Sequence, residues 1–383
     1  MKSAKIKTAI SIILFLFINF IFTVKYLSRI TSDYLIYSSL ILCFYFLLWR
    51  YSFRVKITSS KLTYLNIGLL CTFAISSVII FYKVPFETLN VDRWSVITSF
   101  WDNYFGGKYV YFAESHMGNA PGPMPFYFIL ALPFYLMGEL GYFSLLGIAI
   151  FYLMLKYDNK SPIKQTAAIL LIMSSTFYLW EIICRSNLFL NSSLILCSII
   201  YFFKSAEDKK ANYIIVSGII IGLLLSTRNV FIIPYIIAFL FALRFDIISV
   251  KNTLKIALIA ICTFTITFIP FIINHFDDFM LANPFIIQSS VLMPLGYSIF
   301  CVLLAVGSSL VLNQKSDVYF YSGVILFLTI IFYNIHLLGR FGFQRVFYDI
   351  DNVGDVSYFI FCVPFLIYYM LENRDANYSK SIA

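Results

Sequence analysis

The chain reads as a succession of apolar runs separated by short polar gaps. Runs of about 17 to 26 residues, long enough for a helix to cross a bilayer core, fall near 8–26, 33–50, 62–82, 139–155, 165–183, 187–204, 211–227, 229–246, 254–274, 287–312, 317–338 and 355–371. None alternates apolar with polar positions, so the signature of a transmembrane barrel strand is absent. A bilayer offers backbone amides no water, and each run can satisfy its own amides only as a helix. The expected fold class is all-α, a polytopic transmembrane helical bundle of about twelve spans, with 1–383 forming one integral membrane domain.

A further stretch from Met124 to Met137 carries Pro125 and Pro133 and ends at Gly138. It is short for a span and fits an interfacial or re-entrant helix. Charge decides the matter, because cytoplasmic gaps collect Lys and Arg. If the stretch does not cross, one face receives Arg50, Arg54, Lys56 and Lys61, then Lys156, Lys160 and Lys164, then Lys204, Lys209 and Lys210. Lys251, Lys255, Lys315, Arg374 and Lys380 join them. If it crossed, these Lys-rich gaps would face outward. The expectation is that both termini are cytoplasmic, with a large external loop, 83–138, holding interfacial helices. The first apolar run follows Lys2, Lys5 and Lys7 with no small-residue cleavage site, and reads as an uncleaved helix.

Composition agrees. With 61% hydrophobic, 19% aromatic and 12% charged residues, the chain has too little charge to cover a water-facing surface of this size. The net charge of +9 is accounted for by the gaps, and no basic stripe for nucleic acid appears. The seven cysteines lie mostly inside apolar runs without a CxxC pair and read as small packing residues. The short cytoplasmic gaps lack a GxxxxGK[ST] phosphate loop, which argues against nucleotide chemistry on that side. No cofactor is expected. His275, Asp277 and Asp278 would be the first place to seek a metal, but they make a thin ligand set and no metal site is expected. A bias toward Ile, Phe, Lys, Asn and Tyr suits an AT-rich bacterial genome and hence a bacterial inner membrane.

The first external loop carries the sharpest chemistry. Asn90 can cap a short helix through Trp101 whose Val91, Trp94, Ile97 and Trp101 recur at helical spacing, laying an apolar face on the membrane surface. Asp92 falls in its first turn, close to the bilayer. It either accepts a proton from an acceptor hydroxyl while a lipid phosphate departs, or simply favours the helix N-terminus. Lys108 follows in a Gly-rich turn, and Glu114 and His116 form either a second acid/base pair or a solvated pair. Arg228 stands in a gap of a few residues, on the face where positive charge is disfavoured. Its partner is either a lipid phosphate, gripped bidentately, or ordinary headgroups. Arg185 occupies a similar turn and either binds an anion or pairs with Glu181. Arg340 and Arg345, beside Asp349 and Asp351, either hold a pyrophosphate or anionic glycan or pair with those acids.

An acid shortly after an early span, the turn Gly107-Lys108-Tyr109, and a Pro-rich approach to a short aromatic helix ending in Gly (Pro121 to Gly138) resemble the first external loop of the glycosyltransferase C superfamily. The segment Leu223 to Pro234, with Arg228 ahead of an apolar helix containing Pro, resembles the tight external hairpin of the same group. This resemblance implies an enzyme that moves a sugar from a polyprenyl-phosphate carrier to a lipid-linked or surface glycan acceptor at the outer face. Asp92 would be the general base and Arg228 would hold the carrier phosphate. Arg93, Lys108, Glu114, His116, Arg185, Arg340 and Arg345 complete the expected substrate-binding set. Asp92-Arg93 stands where a doubled acid would favour a metal-dependent version. The expected partners are the carrier-linked donor, the glycan or lipid acceptor and membrane lipids, with no nucleic acid. Two other functions compete. A polysaccharide repeat-unit polymerase usually carries its major external loop late, and a transporter or flippase would show paired halves or buried ions, of which the sequence has no convincing sign.

Overall fold

The computed structural model describes residues 2–53, 58–291, 294–349 and 354–373. Arg54, Lys56, Asp351, Arg374 and Lys380 lie outside the described residues. The helices, in chain order, are α1 (Lys2–Leu27), α2 (Tyr34–Tyr51), α3 (Ser59–Lys83), α4 (Arg93–Phe105), α5 (Pro125–Leu136) and α6 (Gly141–Tyr157). Then follow α7 (Pro162–Ser174), α8 (Thr176–Cys184), α9 (Leu188–Glu207), α10 (Tyr213–Leu225), α11 (Ile232–Arg244) and α12 (Val250–Ile266). The last are α13 (Ile269–Ile272), α14 (Phe276–Leu281), α15 (Pro284–Val291), α16 (Leu295–Ser309), α17 (Lys315–Phe347) and α18 (Val363–Glu372). No strand occurs among the described residues. Six helices are long and apolar enough to cross a membrane, and up to eight spans result if each of two bent pairs counts as one.

Burial separates the inner helices from the outer ones. In α9, 78% of the most apolar window is buried, against 17% in α2 and 22% in α3. A helix that is apolar all round belongs either inside a bundle or against lipid. Thus α9 sits in the core with α18 and α17, whereas α2, α3 and α12 leave Leu40, Ile75 and Leu258 exposed, an apolar surface that lipid would cover. Of the cysteines, Cys184, Cys301 and Cys362 are buried packers, while Cys43, Cys71 and Cys262 lie exposed on outer helices.

Several expected continuous spans are broken. The run 165–183 divides at Ser175, where α7 and α8 bend by 62°. The sequence Ser174-Ser175-Thr176 supplies hydroxyls that compete with helical hydrogen bonds. The freed groups find partners: Tyr45 Oη donates to the Ser174 carbonyl at 2.6 Å, and the Thr176 N–H donates to Asn19 Oδ1 at 3.0 Å. The run 287–312 likewise divides into α15 and α16, with Pro294 at the start of α16. The stretch carrying Arg340 and Arg345 is helical as far as Phe347, with a single break at Gly342, where φ is 78°. Between α5 and α6 the chain bends by 117°, and Gly138 makes that turn at φ 77°. The short Pro-containing stretch therefore does not continue the axis of α6.

Ion pairs gather at one end of the bundle. Lys7 Nζ lies 2.6 Å from Asp317, and Asp158 takes Lys160 at 2.8 Å and Lys204 at 2.9 Å. Tyr368 also donates to Asp158, and Lys160 pairs with Glu372. Burial alone would push the Asp158 carboxyl up, but the hydrogen bonds from Lys160, Tyr368 and Lys204 outweigh it and hold the group below its ordinary range.

The tight approach of α10 to α12 depends on Gly218 and Gly222. A Cβ added at Gly218 would meet Ile259 Cβ at 2.7 Å, and one at Gly222 would meet the Ala260 backbone carbonyl. Small residues at this spacing let two backbones approach where lipid offers no hydrophobic drive to associate. Gly222→Val is therefore expected to cost about 2 kcal/mol or more by overpacking, read as a lowered unfolding temperature in detergent. Gly68→Ala on α3, where nothing lies within 4 Å, should leave that temperature unchanged or raise it. Equal effects at the two sites would refute this account of the pair.

Candidate active site

At the end of the bundle away from the ion pairs, a cavity of about 340 Å³ is bounded by the C-terminal end of α1, the start of α4, the loop before α5, Arg228, Tyr333 of α17 and the chain 354–358. Helix α4 closes one wall. It begins at Arg93, two residues later than Asn90 capping would give, so Asp92 is the residue at its N-terminal boundary and makes no side-chain cap. The apolar face expected on the membrane surface instead faces the protein: Ile97, Phe100 and Trp101 are buried against Tyr111, Phe128 and Phe271. Trp101 Nε1 donates to the Phe128 carbonyl at 3.2 Å. Burial of three large side chains, each contributing about 1.5 to 3 kcal/mol, anchors α4 to the bundle.

Asp92 Oδ2 accepts from Asn119 Nδ2 at 2.7 Å and from Ser115 Oγ at 3.2 Å. Both donors belong to one turn. The Ser115 N–H donates to the Asn119 carbonyl at 2.9 Å, and Gly118 completes the turn at φ 74°, a conformation that suits Gly. His116 secures this turn to α4, its Nδ1 lying 2.7 Å from Ser95 Oγ and its ring stacked on Trp94. No described residue hydrogen-bonds to Asp92 Oδ1.

The Pro-rich approach to α5 ties this wall to the segment that carries Arg228. Pro123 and Pro125 have no N–H, and the intervening N–H of Met124 donates to the Thr227 carbonyl at 3.1 Å, while that of Phe126 donates to the Ser226 carbonyl at 2.9 Å. Gln288 Nε2 donates to the Gly122 carbonyl at 2.5 Å. Arg228 is 9% exposed, and its guanidinium lies 5.4 to 5.7 Å from the rings of Tyr127, Tyr358 and Phe361. Its Nε is buried with no hydrogen-bond partner, and no described residue forms an ion pair with it. Burying an unmatched guanidinium is costly, and an anion in the cavity would relieve that cost.

Arg93 is held differently. It pairs with Asp355, donates to Ser357 Oγ at 2.9 Å and lies 5.2 Å from the Tyr358 ring. Burial works against its charge, but Tyr358 and then Asp92 more than offset this and hold the guanidinium above its ordinary range. In the cluster around α4, burial followed by the charge of Asp278 pushes the Tyr109 phenol up.

The structure brings together Asp92, Arg93 and Arg228 on one cavity, with His116 behind Asp92. The other expected residues lie elsewhere. Lys108 and Glu114 are exposed and do not line it. Arg340 and Arg345 are exposed on α17, each over the Phe341 ring, and also do not line it. Arg185 is not partnered by Glu181. It is 1% exposed, pairs with Glu139 at 3.2 Å and donates to the carbonyls of Phe81, Val84 and Ile183. Glu181 instead receives the N–H groups of Leu188 and Phe189 at the start of α9, a favourable place for a carboxylate. His275 pairs with Asp278 at 2.9 Å, and no group of three metal-ligating side chains occurs among the described residues.

Sequence reasoning missed Lys25, Arg29, Asp355 and Tyr358, all of which line the cavity. The signal for Lys25 and Arg29 was present, since in the expected topology they end the first apolar run on the same disfavoured face as Arg228.

A second cavity, about 440 Å³ and lined largely by apolar side chains of α11, α16 and α17, shares Arg228, Gln288, Tyr333 and Tyr358 with the first.

The two buried arginines should differ in stability. Arg185→Gln strips a carboxylate and three carbonyls of their donor and is expected to cost about 3 kcal/mol. Arg228→Gln breaks no hydrogen bond or ion pair with a described residue, only the contacts with three ring faces, and should cost about 1 kcal/mol. Thermal unfolding of both variants in one detergent checks this, and equal losses would contradict it. Compared with described protein families, with curated proteins and with solved structures, the chain matches none of them.

Proposed function

We propose that this chain is a membrane glycosyltransferase that moves a sugar from a polyprenyl-phosphate carrier to a lipid-linked or surface glycan acceptor at the outer face of the membrane. The observation that supports it most is the pairing, on one cavity, of a carboxylate held by neutral donors, Asp92, with a buried guanidinium, Arg228, that forms no ion pair with a described residue.

In this reading the chain crosses the membrane twelve times. The six long helices are joined by α6, by α7 with α8 as one bent span, and by the four shorter apolar helices that include α10 and α16. Helix α5 folds back without crossing. The end rich in Lys pairs, at Asp158 and Asp317, is cytoplasmic, as the distribution of positive charge favours. The cavity then opens outward, where carrier-linked sugars are presented.

The chemistry follows from the two groups. An acceptor hydroxyl attacks the anomeric carbon, the new C–O bond forms, and the bond from that carbon to the phosphate oxygen breaks. The hydroxyl proton passes to Asp92, whose Oδ1 takes no hydrogen bond from a described residue, while Oδ2 is occupied by Asn119 and Ser115. The leaving phosphate keeps the bonding electron pair, and Arg228 meets the charge that develops on it. The apolar cavity beyond Arg228 suits the prenyl chain, and Tyr127 and Tyr358 offer ring faces to the sugar.

Asp92→Asn is expected to lower sugar transfer from polyprenyl-phosphate donors in membranes by about 10²- to 10⁴-fold, with an unchanged unfolding temperature. Undiminished transfer by this variant would overturn the proposed base. Sidedness has its own check: Asn103→Cys should react with an impermeant maleimide added outside intact cells, and labelling only after the membrane is opened would place the site on the wrong face.

A further inference from the structure

Exposed apolar side chains do not stop where the α12 span stops. Leu254, Leu258, Ile261 and Ile266 of α12 are each at least 60% exposed, as suits a helix lying against lipid. The apolar segment Val250–Ile272 has 23 residues, and about 20 already cross a bilayer core. Just beyond it Ile273, Phe276, Met280 and Leu281 are 63 to 74% exposed. Four large apolar side chains therefore stand out from the bundle past the level where the core ends. Phe276 and Met280, four positions apart, share one face of the six-residue α14.

Another flank of α14 is held by the wall that carries Asp92. Phe279 packs on the cluster around α4, and its ring lies 6.0 Å from that of Phe268. Tyr109 Oη donates to the Ala282 carbonyl at 2.7 Å, and the Tyr109 ring lies 5.6 Å from that of His275. The Tyr109 carbonyl in turn accepts from Asn103 Nδ2 of α4 at 3.1 Å. A short run of contacts thus leads from α14 through Tyr109 to α4.

The chain itself says what covers the exposed face. It enters α14 from a lipid-facing span within four residues, Ile272 to Phe276, which puts Phe276 and Met280 at the boundary between acyl chains and headgroups. From Ile256 to Gln314 the sequence has no Lys or Arg, and Asp277 and Asp278 occupy the first turn of α14. Attraction to anionic headgroups therefore does not hold this helix at the surface, and apolar insertion must.

We infer that α14 is a membrane-surface anchor, with Phe276 and Met280 seated among the upper acyl chains of the leaflet on the cavity's side, and that it braces α4 through Tyr109. The anchor is independent of which reaction the cavity serves.

The test uses the full-length protein in phosphatidylcholine vesicles, with Cys43, Cys71, Cys197 and Cys262 replaced by Ala and a single fluorophore attached through Met280→Cys or, for comparison, through Glu114→Cys in the exposed loop. A nitroxide near the top of the lipid acyl chain should quench the label at position 280 at least about threefold more than the label at position 114, and aqueous iodide should do the reverse. Raising the salt concentration should leave the lipid quenching at 280 unchanged, and quenching that falls in high salt would overturn apolar insertion as its cause. Iodide quenching at 280 equal to that at 114 would put α14 in water and overturn the anchor. Quenching by neither agent would mean that a protein partner or a second copy covers the face, and would overturn it equally. The brace has its own readout: Phe276→Ser combined with Met280→Ser should speed amide hydrogen exchange in α4 by about tenfold or more while leaving α9 unchanged. Exchange in α4 that does not move would overturn the brace even where the lipid contact stands.

Discussion

Two backbone hydrogen bonds, from Met124 to Thr227 and from Phe126 to Ser226, join the long loop to the helical bundle at the edge of the polar cavity. The loop brings Asp92, and the segment it pairs with brings Arg228. Neither side chain could define a site alone. Proline at 123 and 125 makes this contact orderly, because residues without an N–H leave only Met124 and Phe126 to donate, and the chain has no alternative register there. The buried face of α4 and the turn at Gly118 then fix Asp92 relative to that seam.

The two ends of the bundle treat charge in opposite ways. At one, Asp158, Lys160, Lys204 and Glu372 answer one another, and Lys7 answers Asp317, so little electrostatic demand is left over. At the other, Arg185 is fully answered within the protein, whereas Arg228, only slightly less buried, is surrounded by ring faces. Aromatic faces attract a cation without neutralising it. Two arginines of similar burial therefore have different roles, and what separates them is the set of groups within hydrogen-bond reach.

The helical class was legible from run length, because a bilayer allows few solutions; the continuity of each run was not, since 165–183 and 287–312 are each divided. Asp92 and Arg228 were legible for a local reason, each being a charge in a short context that disfavours it. Asp355 and Tyr358 were not, because their meeting with the end of α1 depends on how α1 and the chain before α18 pack, across more than three hundred positions. Arg340 and Arg345 misled for the converse reason: Gly339 and Gly342 have the composition of a loop, yet only Gly342 departs from helical geometry. The pairing of Arg185 with Glu139, not the nearer Glu181, shows the same limit. Glu181 had the start of α9 to serve, and proximity in sequence did not reveal that competing demand. Ser174-Ser175-Thr176 was a readable break that an apolar average concealed.

That break has a consequence for how the chain is made. The unpaired groups at Ser174 and Thr176 are met by Tyr45 and Asn19, residues synthesised more than a hundred positions earlier. When the bent segment leaves the ribosome, its partners are already in the membrane, and it can lodge at once without exposing a bare peptide group to lipid. The order of translation is thereby also a workable order of assembly: the first two helices act as a mould for a later one that would be a poor membrane segment by itself.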